Sequence, residues 1–158
     1  MNGKILIFSL IINCQIAADS LDDWNHYLFV IDGSEEKLLT FVRSTPKDDL
    51  FYLTDLALDT DRNISQMKLA GFISLMYVQH FSALTNEEKE YVSSVMINMA
   101  NSLSGIHKSN IMGSMIKMRN PLILEYALRT LEEDKAPWVQ FVSQALIDAR
   151  PPGNIEGR

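Results

Sequence analysis

A single cysteine, Cys14, stands among 158 residues, which excludes a disulfide framework within the chain and any zinc site built from two or more cysteines. Glycine (7) and proline (5) are sparse and fall almost entirely at breaks between apolar segments, so collagen-like and disordered classes are excluded as well. Bases are outnumbered, 14 Lys and Arg against 20 Asp and Glu, giving a net charge of −6. Nucleic acid and anionic lipid are poor partners for such a chain, because both are bound by neutralising phosphate. No apolar run approaches the roughly 20 residues needed to span a bilayer, so no stable membrane insertion is expected. Catalytic and cofactor signatures are lacking too. There is no HExxH, no GxSxG and no phosphate-binding glycine loop, and His26, His80 and His107 lie on separate segments with no His or Cys at helical spacing. The residues lead us to expect neither an enzyme nor a cofactor protein. What remains is 47% apolar and 22% charged, ordinary for a protein with a real core.

The two ends read differently from the middle. Residues 1–18 carry one Lys, no acid, an apolar run from Ile5 to Ile12 interrupted by Ser9, and Ala17-Ala18 before the first acid, Asp19. These are the features of a secretory signal peptide cut after Ala18. Cys14 would leave with it or, as an alternative, be lipidated. The protein is then secreted or periplasmic, and cytoplasmic only if residues 1–18 belong to the fold. Residues 151–158 open with two prolines and end in Ile-Glu-Gly-Arg, a factor Xa recognition sequence of the kind added for expression, and read as a flexible tail.

Between these ends, residues 19–150 read as one all-α domain, since no stretch alternates with period two. Ser20 can cap a first helix bearing Leu21, Trp24, Leu28 and Ile31, and Ser34 a second with Glu35 and Glu36 in its first turn. Thr45-Pro46 opens a third over 47–59 that buries Leu50, Leu53 and Ala57. A fourth from Asn63 holds residues 67–81, apolar nearly all round, and is expected at the centre of the core. Thr85 and Glu88 fit a capping box for a fifth helix with Tyr91, Val92, Val95, Met96 and Met99 inward, ended by Gly105. Residues 108–118, Asn120-Pro121 to Glu133 and Ala136-Pro137 to Ala149 complete the set. We expect a compact bundle of about eight helices, with HEAT-like antiparallel pairs as a variant arrangement.

Charge is unevenly distributed along the chain. Residues 19–60 hold ten acids against Lys37, Arg43 and Lys47, whereas residues 61–158 hold ten of each sign. On the third helix Asp48, Tyr52, Asp55 and Asp59 recur at four, three and four residues, forming one stripe opposite the apolar face. A carboxylate stripe with an aromatic in it suits a protein partner with a basic surface, because complementary charge steers encounter and Tyr supplies contact area. Methionine is also uneven. Met112, Met115 and Met118 are spaced by three, near Met96 and Met99, and Gly113 among them would allow another helix or a ligand close approach. Asp59-Thr60-Asp61-Arg62-Asn63 imitates the start of a calcium loop, but Ile64 stands where glycine is needed and Ala70 where a bidentate Glu is needed. Asn63-Ile64-Ser65 is a glycosylation sequon if the host is a eukaryote.

Together these features point to an exported, non-catalytic helical module that binds a basic protein, as an inhibitor or immunity factor for a basic enzyme or toxin. The alternative is a carrier of a small apolar ligand in a Met-lined cavity of roughly 300 Å³ or more.

Overall fold

The computed structural model describes residues 35–59 and 64–149. The expected signal peptide with Cys14, the helix from Ser20 to Ile31 with His26, the cap Ser34, the segment Asp61 to Asn63 and the tail 151–158 lie outside the described residues. The fold is all-α. Seven α-helices and one 3₁₀ turn, with no strand, make up the described residues: α1 (Glu35–Ser44), α2 (Asp48–Leu58), α3 (Gln66–Gln79), the turn Phe81–Ala83, α4 (Asn86–Asn101), α5 (Gly105–Ser114), α6 (Pro121–Glu133) and α7 (Pro137–Asp148). The eighth expected helix is the one that lies outside.

The chain divides into two units at Thr45/Pro46. In the first, α1 closes on its own side chains. The hydroxyl of Thr45 donates to the Phe41 carbonyl at 2.7 Å and that of Ser44 to the same carbonyl at 2.9 Å, satisfying an acceptor that the ending helix leaves open.

In the second unit, helices meet their nearest and next-nearest neighbours in sequence: α2 with α3 and α4, α3 with α4 and α5, α4 with α5 and α6, and α7 with both α5 and α6. Short connections favour this, because a helix turned back by a few residues tends to lie beside its predecessor; α6 departs from it, packing chiefly on α4 and α7 rather than on α5. The ends are set by local chemistry. Thr85 Oγ1 accepts the Glu88 amide at 3.2 Å while a Glu88 carboxylate oxygen accepts the Thr85 amide at 2.8 Å, completing the expected capping box. Asn120 Oδ1 accepts the Leu122 amide at 2.9 Å, with Pro121 pre-set in the first turn of α6. On α3 the cap is Ser65, whose hydroxyl oxygen accepts the Lys68 amide at 3.4 Å.

Leu50, Leu53, Leu69, Ile73, Tyr77, Val92 and Ile111 form the core together with Met76, Met96, Met99, Met112, Met115 and Met118, all buried. The helix expected over 108–118 is shifted. Gly105 does not stop α4, which ends at Asn101; its φ of +55° turns the chain directly into α5, a conformation that suits glycine. Beyond Ser114 the backbone tightens, with the Met115 amide donating to the Met112 carbonyl at 3.0 Å and the Met118 amide to that of Met115 at 2.9 Å. With about three residues per 3₁₀ turn, Met112, Met115 and Met118 fall on one side, and that side is the core. Gly113 does not mark a close approach, since a Cβ added there would meet nothing within 4 Å.

Candidate functional site

The acidic stripe is built on α2. Its amphipathic spacing buries Leu50, Leu53 and Leu56 and leaves Asp48 and Asp55 exposed with Tyr52 half-buried. Ala57, expected inward, is only half-buried, because Leu56 takes the inner position in the last turn. α2 ends at Leu58; Asp59 is its C-cap, half-buried, and the chain leaves the helix after it (φ −87°, ψ 93°).

A residue expected in the core joins the stripe. Tyr91 of α4 is 40% exposed, and its hydroxyl donates to Asp55 Oδ1 at 2.7 Å. The helix period alone placed Tyr91 with Val92 and Val95, but α4 turns Val92 and Val95 into the core and leaves Tyr91 at the seam with α2. The carboxylate beside it, then partial burial, raises the Tyr91 phenol above its ordinary 10.0. Glu87, one turn before Tyr91, is exposed on the same side of α4. Lys47, the one base near the start of α2, is occupied: its ammonium lies 2.8 Å from Glu88 Oε1 and 5.7 Å from the Phe51 ring centroid. The Lys47 bond, followed by the Thr85 amide, holds the Glu88 carboxyl below its ordinary value. The surface is therefore Asp48, Tyr52 and Asp55 from α2, with Asp59 at its C-cap, and Tyr91 and Glu87 from α4.

Two pockets lie elsewhere in this unit. One of about 360 Å³ is lined by Ser65, Gln66, Met67, Leu103, His107, Asn110 and Ile111. It brings His107 to a cleft, but no carboxylate stands in that lining. The second, about 390 Å³, is lined by Val78, Phe81, Lys117, Met118 and Arg119. His80 caps the C-terminus of α3 and is half-buried, not the core residue that its place on an apolar helix suggested. No group of three or more His, Cys, Asp or Glu side chains that could hold a metal occurs among the described residues. Among them, too, no helix is long and apolar enough to cross a membrane.

Trp138 and Phe141, one turn apart on α7, are 61% and 70% exposed, with Leu128 of α6 at 44%. Only the packing of α7 on α5 and α6 through Val139, Ser143 and Leu146 shows which side is left over.

No known protein family, no curated protein and no solved structure matches this chain.

Proposed function

We propose that the chain is an exported, non-catalytic helical module that binds a protein partner with a basic surface, serving as an inhibitor or immunity factor for a basic enzyme or toxin. The observation that carries this reading is the Asp55–Tyr91 pair. An aromatic ring held at the surface by a carboxylate, between Asp48 and Tyr52 on one side and Glu87 on the other, combines charge for steering with a pre-positioned hot-spot side chain. The pairing of Lys47 with Glu88 supports it, since the base at the start of α2 is neutralised by a carboxylate of α4 and not by Asp48 or Asp55. Export rests on residues 1–18 and would leave a chain beginning at Asp19.

The test has two arms. Fractionation of its own host should place the protein outside the cytoplasm, with a mass starting at Asp19; a protein confined to the cytoplasm with Met1 retained overturns export. For binding, the partner captured from that host should associate more slowly with the Asp48→Lys/Asp55→Lys variant, by about tenfold or more at low salt, with the gap closing at high salt. Equal association rates at both salts overturn the proposed surface.

A further inference from the structure

The 390 Å³ pocket beside the end of α3 differs in character from the acidic surface. Its apolar wall is Val78, Phe81 and Met118, and its polar lining consists of two cations, Lys117 and Arg119. Both are exposed, and among the described residues neither forms an ion pair. A third cation stands close by: the Lys89 ammonium lies 4.0 Å from the centroid of the Phe81 ring. In a chain of net charge −6, a cavity lined by apolar side chains and cations alone is against the trend.

The backbone at this pocket is unusual as well. Arg119 has φ +48°, the left-handed region that an L side chain rarely occupies, and is the sole non-glycine residue to do so among those described. Such a conformation costs of order 1 kcal/mol or more and persists only where the surroundings over-determine it. Here the next residue does that. Asn120 is 6% exposed; its Oδ1 accepts the Leu122 amide, and its Nδ2 donates at 3.3 Å to the hydroxyl of Tyr77, the neighbour of Val78 on α3. Tyr77 in turn meets Phe81 edge to face, with ring centroids 5.8 Å apart. One bonded network thus fixes the turn that carries Arg119 and the aromatic wall it faces. A glycine at position 119 would relieve the strain, yet arginine stands there.

We propose that this pocket is a binding site for a small amphipathic carboxylate, an alkyl chain ended by a carboxyl group. The chain lies against the exposed Val78 and Phe81, over the buried Met118, and the carboxylate is held by the Arg119 guanidinium, whose planar fork matches two carboxylate oxygens, with Lys117 beside it. The volume falls in the range of small-molecule sites, about 300–1,000 Å³. This site is separate from the α2 surface and does not depend on it.

Calorimetric titration of the whole protein with decanoate, decanol and decyltrimethylammonium separates the terms. Decanoate should bind at a single site, decanol at least about tenfold more weakly, and the cation not at all. Arg119→Gly should lose about tenfold in decanoate affinity while its thermal midpoint stays the same or rises, so lost binding cannot be blamed on lost folding. Lys117→Gln should weaken decanoate and leave decanol unchanged. Equal affinity for decanoate and decanol, or an Arg119→Gly variant that binds decanoate like the parent, overturns the proposal. So does Arg119-dependent binding to anionic vesicles with no binding of monomeric decanoate, which would make the pocket a membrane contact.

Discussion

The Tyr91 hydroxyl donates a 2.7 Å hydrogen bond to Asp55 Oδ1, joining the surface of α4 to that of α2 across 36 residues of sequence. The bond raises the Tyr91 phenol because ionising it would place a second negative charge against the carboxylate. In Asp55→Asn, Tyr91 should titrate at lower pH than in the parent, as followed by phenolate absorbance. No change in that titration would mean that the pair is not formed in solution.

Tyr77 and Tyr126 are also raised, in both cases chiefly by burial. The folded state therefore ionises these phenols at higher pH than the unfolded chain does. Their contribution is fully present below about pH 10 and declines as the pH rises through the folded-state values. Denaturant midpoints should hold to near pH 10 and then fall, and Tyr77→Phe should flatten that fall. Alkaline behaviour identical in parent and variant counts against the role of Tyr77.

The acid limb runs the other way. Lys108 Nζ lies 2.9 Å from Asp134 Oδ2, and the Ala136 amide donates to Oδ1 at 3.1 Å; together they hold the carboxyl below its ordinary 3.8. This contribution is present above the unfolded value and is lost as pH falls through the folded one. Carboxyl resonances of Asp134 should titrate closer to the ordinary value in Lys108→Met, and in the parent at high salt. The pair lies near the surface, so its effect on stability should be small and salt-sensitive.

Two substitutions should stabilise the fold. Gly71 lies inside α3, where an added Cβ meets nothing within 4 Å, so Gly71→Ala should gain about 1 kcal/mol from helix propensity. The Ser143 hydroxyl is buried without a hydrogen-bond partner among the described residues, and Ser143→Ala should gain about 1 kcal/mol by removing it. Chemical denaturation measures both. A loss of stability in the first would show that space at Gly71 is needed in solution.

Local chemistry was legible where the partners lie within a few residues. Thr85 with Glu88 and Asn120 with Pro121 start α4 and α6 where their sequence places them, because a cap bonds to amides two or three residues ahead. The apolar period found the inner faces of α2 and α4 for the same reason. It misplaced Tyr91, since a ring at the edge of an apolar arc is turned in or out by the neighbouring helix. It also misplaced the turn after α5, where three-residue Met spacing fits a helix or a 3₁₀ run equally well. Trp138 and Phe141 sit on an apolar helix whose exposed side is defined only by what packs opposite.

The residues alone specify an all-α chain, the caps Thr85 and Asn120 and the acidic spacing of α2, because these rest on contacts within one or two turns. Helix packing set that Tyr91 meets Asp55, that Met112, Met115 and Met118 all lie buried, and that Arg119 is held with φ positive in the pocket lined by Phe81. Each of these depends on how helices distant in sequence cross, and a crossing is set by the packing of many side chains at once, with no local signal in the residues it brings together.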